Sequence, residues 1–172
     1  FVYSFPNSSS KLLFSNVDKF PYLLLYAFKN SPLFSTFMAK WSPSLPGQSG
    51  HLHQSLWNED GSSAFSNPKK KYNMSNTFRH YLAGQIKLLP EVLPMLAPTI
   101  NSYTRMIKGF WAPTHTNWGL DNRTCAIRVI PGSPKSHRLE YRITAADGNP
   151  YLALAASVAC GLYGIENKFA SN

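Results

Sequence analysis

Asn122 to Arg142, NRTCAIRVIPGSPKSHRLEYR, is the stretch whose reading decides the fold. It holds four of the six arginines of the chain, Arg123, Arg128, Arg138 and Arg142, together with Lys135, His137 and one carboxylate, Glu140. Alternate side chains of a strand share a face. Arg138, Glu140 and Arg142 are therefore predicted to project together, with Leu139 and Tyr141 turned into a core. The preceding strand is less regular: Arg123 leads into it, and Arg128 sits inside the apolar run Ala126, Ile127, Val129, Ile130. Guanidinium groups on core-forming strands are costly unless anions meet them. One carboxylate cannot neutralise four of them, so the pair of strands predicts an anionic ligand.

Working outward, 172 residues suffice for one domain with a sizeable core, or for part of a larger one. A hydrophobic content of 44% with 14% aromatics predicts a globular chain. The net charge of +9 suits an anionic partner, and it equally suits a fragment separated from its acidic half. Cys125 and Cys160 lie in apolar runs at no metal-binding spacing, as reduced, buried thiols of a cytoplasmic protein would. The apolar run Pro21 to Phe28 is too short to span a bilayer. No signal-peptide layout is visible.

Ahead of the arginine strands, residues 1–34 form an N-terminal segment whose relation to the domain stays open, with a short strand or helix at Tyr22 to Phe28. TFMAK, Thr36 to Lys40, reads as a short buried strand, followed by a Pro- and Gly-rich loop to Gly50. His51-Leu52-His53-Gln54-Ser55-Leu56-Trp57 alternates as a strand with His51, His53 and Ser55 on one face and Leu52, Gln54 and Leu56 on the other. The His-x-His pair suits a metal ligand or a neighbour of an anion, or two solvent-facing polar positions. Lys69 to Lys71 reads as a solvated loop. Ser75 can cap a core helix carrying Phe78, Tyr81, Leu82, Ile86 and Leu89, which Pro90 is predicted to limit. Arg105 and the loop KGFWAP, Lys108 to Pro113, follow; locally Arg105 reads equally as a surface cation. After Arg142, Asn149 and Pro150 open a helix dense in Ala and Leu, predicted to pack tightly on the sheet.

TFMAK, GHLHQSLW, INSYTR with GFWAP, NRTCAIRV, SPKSHRLEYR and DGNPYLALAA occur together in an order and spacing that resembles the C-terminal half of the glutamine synthetase catalytic domain. The resemblance covers roughly residues 35 to 168. It implies an α+β fold, an antiparallel sheet flanked by helices, present in part over residues 35–172. It also implies ATP-dependent joining of an amine to a glutamate-like carboxylate through an acyl phosphate, with Mg²⁺ or Mn²⁺, in a dodecameric homo-oligomer. By motif, His51 and Glu140 correspond to ligands of one metal ion. His53, Gln54 and Ser55, with Arg128, Lys135 and Arg138, correspond to nucleotide contacts. Arg105, Arg123 and Arg142 correspond to positions that hold the amino-acid substrate, and Arg123 and Arg142 serve the transferred phosphate. Planar, bidentate guanidinium groups suit phosphoryl transfer.

Two departures bear on activity. The family's flap carries a Glu where this chain has Trp111, and an indole can neither bind ammonium as a carboxylate does nor take its proton. Further, Mg²⁺ needs about six mostly oxygen ligands, and the remaining acidic residues of this chain match no ligand position. Three readings follow. The first is a ligase that does not use ammonia efficiently. The second, suggested by the whole GFWAPTHTNWGLDNRT segment, is a non-catalytic structural protein resembling lengsin, the lens-expressed branch of the family, with lens cytoskeletal partners. Nucleic-acid binding, suggested by charge alone, has no motif behind it.

Overall fold

The structure, a computed structural model, describes residues 36–170 and, ahead of them, strands β1 (Val2–Ser4) and β2 (Ser10–Leu13). The element expected at Tyr22 to Phe28 lies outside the described residues. The architecture is α+β, as the sequence predicts. β3 (Leu52–Gln54) and β4 (Leu56–Asn58) are one alternating run interrupted at Ser55. The interruption sends its halves to different sheets: β1, β2 and β4 form a three-stranded antiparallel sheet, and β3 joins the sheet that carries the arginines. Leu52, Gln54 and Leu56 are all buried, so the alternation survives the break.

The second sheet has the order β3, β7 (Arg138–Tyr141), β6 (Ile127–Ile130), β5 (Trp118–Leu120). β3 with β7 and β7 with β6 are antiparallel, but β5 lies parallel to β6, so the sheet is mixed rather than wholly antiparallel. Trp118 to Leu120 is too short to show a period of its own, and its pairing with Ile127 to Val129 forms it. The register lines up His53 opposite Glu140, Glu140 opposite Arg128, and Arg128 opposite Gly119. That row is the backbone of the charged site. Leu139 and Tyr141 are fully buried on the other face, as alternation requires.

Helix α1 (Asn76–Leu96) begins as predicted: the Ser75 hydroxyl accepts the Phe78 amide at 3.0 Å and donates to the Ala64 carbonyl at 2.6 Å. Phe78, Tyr81, Leu82 and Leu89 face the core, where Phe65 stacks on Phe78 at 4.3 Å between centroids. Pro90 does not end the helix, which runs through Pro90 and Pro94 to Leu96. Both prolines lie on its exposed side, where water can satisfy the carbonyls they leave without donors. A short helix, α2 (Ile100–Thr104), follows on a capping box of Thr99 and Ser102.

Helix α3 (Pro150–Glu166) starts on Asn149, whose side chain accepts the amides of Tyr151 and Leu152. Its close neighbour is α1 rather than the sheet. A Cβ on Gly84 would stand 2.2 Å from the Cys160 carbonyl oxygen and 2.6 Å from Gly164 Cα, so the backbones meet where side chains are absent. Burial is one-sided: Ala153, Ala156, Ser157, Cys160, Gly161 and Gly164 face inward, while Tyr151, Leu152 and Tyr163 are exposed. Cys125 and Cys160 are free, buried thiols.

TFMAK is not a strand. Its buried end is satisfied by other means: the Gln48 amide donates to the Ala39 carbonyl at 2.7 Å, and the Asn101 carboxamide bonds both the amide and the carbonyl of Lys40, at 2.9 and 2.7 Å. With those groups paired, no sheet partner is required. Among the described residues no helix is long and apolar enough to cross a membrane.

Candidate functional site

Glu140 is the hub of the site. Its position within β7 buries it to 4% exposure; Arg142, two residues on, meets one of its oxygens, and Arg128 of β6 meets the other. Arg142 Nη1 donates to Oε1 at 2.7 Å, and Arg128 Nη1 donates to Oε2 at 3.0 Å. His51 Nδ1 reaches Oε1 at 2.7 Å, and His53 Nε2 stands 3.9 Å from the same oxygen. Burial alone would raise the Glu140 pKa; the Arg128 hydrogen bond and the charge of Arg142 reverse this and hold it below the ordinary carboxylate value.

His51 is neutral. Burial, then the charge of Arg142, lowers its pKa to about 4 against the opposing pull of Glu140. Its contact with Glu140 is thus a hydrogen bond from a neutral imidazole rather than an ion pair. One tautomer serves both neighbours: Nδ1–H donates to Glu140, and Nε2 accepts the Ser49 hydroxyl at 2.7 Å. His53, its pKa also lowered by burial, accepts Arg138 Nε–H on Nδ1 at 3.1 Å, which places its own proton on Nε2 toward Glu140.

Arg105 stands behind this layer. Reading it as a surface cation does not hold: it is 4% exposed, and its Nη2 donates to the carbonyls of Arg142, Ile143 and Thr144 at 3.3, 2.8 and 3.4 Å. Burial, reinforced by Arg142, lowers its pKa to about 10. Arg128 is tied on its far edge to Asp121, with Nε donating to Oδ1 at 2.8 Å and Nη2 on the same oxygen, and its pKa is raised by that bond. Arg142 Nη2 donates to the Trp111 carbonyl at 3.2 Å. Trp111 itself has φ of +56° and is 65% exposed beside the site.

The structure therefore brings together His51, His53, Glu140, Arg128, Arg138 and Arg142, with Arg105 beneath. It does not bring in the other four. Gln54 points into the core, where its carbonyl oxygen accepts Tyr81 Oη–H and Gln85 Nε2–H at 2.7 and 2.8 Å. Ser55 turns its hydroxyl to the Trp57 indole at 2.9 Å. Arg123 and Lys135 are exposed in the turns before β6 and β7. Two contributors escaped the sequence reading: Asp121 and Ser49. Asp121 is visible only once β5 is known to lie beside β6, and Ser49 only through the tautomer of His51.

Four guanidiniums gather around two carboxylates, which pair with Arg128 and Arg142 alone, and the excess positive charge suits phosphate and carboxylate oxygens. His51 and Glu140 face each other as one nitrogen and one oxygen donor. They do not by themselves make a metal site: Glu140 is already engaged by Arg128 and Arg142, and no cluster of three His, Cys, Asp or Glu that could hold a metal occurs among the described residues.

Comparison of the sequence with known proteins finds a family. A family model described as "Glutamine synthetase, catalytic domain" covers residues 27–172. The chain is 50% identical over 137 residues to Type-1 glutamine synthetase 2 of Dictyostelium discoideum, covering 79% of this chain and 26% of that protein. It is 45% identical over 134 residues to the glutamate–isopropylamine ligase of a Pseudomonas species, covering 78% and 29%. Against the gamma-glutamylethanolamide synthetase of Streptomyces coelicolor it is 49% identical over 133 residues, covering 77% and 28%. The chain thus spans between a quarter and a third of the length of these relatives. It belongs to the glutamine synthetase catalytic-domain family.

Proposed function

We propose that this chain is the anion-binding part of an ATP-dependent carboxylate–amine ligase that joins glutamate, or a close analogue, to an organic amine larger than ammonia. The observation that carries the reading is the Glu140 hub: one buried carboxylate holding Arg128 and Arg142 in place, with Arg138 and Arg105 adjacent. In this reading the substrate carboxylate attacks the terminal phosphorus of ATP and ADP leaves. The amine then attacks the acyl carbon, phosphate leaves, and the nitrogen loses a proton. Arg142 and Arg123 meet the carboxylate and transferred phosphate, Arg105 backs Arg142, and Arg128, Arg138, Lys135 and His53 meet the nucleotide. Gln54 supports the same strand segment from its core face, and Ser55 lies at its end on the face of His51 and His53.

Trp111 supports an organic amine: an exposed indole at the rim gives an apolar wall where a carboxylate would serve ammonium. The names of the isopropylamine and ethanolamide enzymes point the same way. His51 and Glu140 would supply part of a Mg²⁺ or Mn²⁺ shell, completed from residues outside this chain. The dodecameric assembly and cytoplasmic location belong to the same reading and rest on family resemblance. ADP release by the full-length protein with glutamate and a panel of amines tests it. Turnover with an alkylamine or amino alcohol is expected, and silence with every pair overturns it.

A second reading, a lengsin-like structural protein of the lens with cytoskeletal partners, also draws on Trp111. It expects ATP binding without turnover, and any measurable ligation excludes it.

A further inference from the structure

Lys40 is 5% exposed and makes no ion pair among the described residues. Its ammonium has neither a carboxylate nor a hydrogen-bond partner among the described residues, so the contact it does make bears on where it sits. Its Nζ lies 4.8 Å from the centroid of the Phe110 ring, within range of a cation–π contact that gains strength when desolvated. The Lys40 backbone is held as firmly as its side chain. The Asn101 carboxamide clasps its amide and carbonyl, and the adjoining Ala39 carbonyl takes the Gln48 amide. Asn101 belongs to α2, so the ammonium is presented from a fixed base.

Phe110 is the residue before Trp111. The turn carrying both is closed by the Phe110 amide on the Ile107 carbonyl at 3.4 Å and passes through Gly109 at φ +90° and Trp111 at φ +56°. A tryptophan in the left-handed region is held there at some cost, so its neighbours must hold it. Two contacts do so: Lys40 on the Phe110 ring, and Arg142 on the Trp111 carbonyl at 3.2 Å. The second contact shares its guanidinium with Glu140.

We infer that Lys40 is a positioning residue: its ammonium, seated on Phe110, fixes the turn of residues 107–112 and thereby the Trp111 indole as the wall for the incoming amine. Lys40 touches no reacting atom in this arrangement. It acts through Phe110 and the backbone of the turn, together with Arg142. The inference deepens the ligase reading and rests on it for the amine, but the clamp itself can be measured without turnover.

The test uses the full-length protein with Lys40→Met, Lys40→Arg, Phe110→Leu and the Lys40→Met/Phe110→Leu double variant. Two quantities are read: the rate of tryptic cleavage after Lys108, which is exposed in the turn, and the KM values for amine, glutamate and ATP. Lys40→Met and Phe110→Leu are each expected to speed cleavage about tenfold, with the double variant no faster than either, because both remove one contact. Lys40→Arg, which keeps the cation, restores the wild-type rate. The KM for amine rises about tenfold while those for glutamate and ATP stay near wild type.

Unchanged cleavage in both single variants overturns the clamp. Faster cleavage with all three KM values raised alike, or with only kcat lowered, reduces Lys40 to a structural role and overturns the positioning of Trp111. Should the wild type turn over no amine at all, the ligase reading fails, and the clamp is decided by the cleavage rates and their non-additivity. Phe110→Leu, at a half-buried site, keeps the test open if Lys40→Met does not fold.

Discussion

Arg142 donates one amino group to the main-chain carbonyl of Trp111 at 3.2 Å while its other amino group holds Glu140 at 2.7 Å. The rim of the site and its buried hub therefore share a single guanidinium. Trp111→Glu places a carboxylate at the rim without altering that backbone contact. Under the ligase reading the ratio of kcat/KM for ammonia to that for the preferred organic amine is expected to rise by at least tenfold, about 1.4 kcal/mol. Competition assays with both amines present measure it directly, and an unchanged ratio removes Trp111 as the discriminator.

Removing the guanidinium is a stability experiment as well. Arg142→Met leaves Glu140 buried with Arg128 as its remaining cation, and an uncompensated buried charge typically costs about 3–5 kcal/mol. Because Arg128 stays, the lower end, about 3 kcal/mol, is expected for the domain, seen as a lowered thermal midpoint. The Glu140→Gln/Arg142→Met double variant should recover part of the loss. A double variant worse than Arg142→Met alone contradicts the hub.

Asp121 competes with any phosphate for the outer edge of Arg128. Asp121 is 61% exposed at its side chain, so its neutralisation should disturb the fold little. Asp121→Asn is expected to tighten nucleotide binding about fivefold by freeing that edge for phosphate oxygens. Calorimetric titration at fixed salt reads the effect. Weaker binding would instead mark Asp121 as the residue that aims Arg128.

At the crossing of α1 and α3, Gly84→Ala drives a methyl into the Cys160 carbonyl and Gly164 backbone, at 2.2 and 2.6 Å. Neither obstacle is a flexible side chain, so the helices must separate. The expected loss is about 3 kcal/mol, the upper part of the usual range for overpacking. Denaturant unfolding measures it; a neutral result would mean the helices do not cross so closely.

Acid should weaken the fold earlier than carboxylate protonation alone would. Burial lowers the pKa of His137, which lies 1% exposed against Phe78 with neither ring nitrogen hydrogen-bonded, and lowers that of His51 to about 4. Between the ordinary value of 6.5 and these depressed values the unfolded chain binds more protons than the folded one, so stability falls as pH falls through that window. Glu140, its pKa also depressed, adds a loss in the same direction below its ordinary value of 4.5. Thermal midpoints measured from pH 7 to 4 should decline, and His137→Phe should flatten the upper part of the decline.

The chain itself determined what local periodicity and capping chemistry can carry. Strand alternation put Glu140 with Arg138 and Arg142 on one face and Leu139 and Tyr141 in the core, and Ser75 and Asn149 marked the helix starts. The motif series determined the family. Tertiary structure alone decided how charges are paired. His53, Glu140, Arg128 and Gly119 align through register across four strands, and no local signal encodes register between segments so far apart. The same holds for Gln54, a polar residue on an apolar face that becomes intelligible only beside Tyr81 and Gln85. It holds for α1 continuing through two prolines, because solvent exposure of the freed carbonyls, not the prolines, sets the cost. Lys40 is the plainest case: its partner is an aromatic ring in a distant turn, and only the fold brings them together.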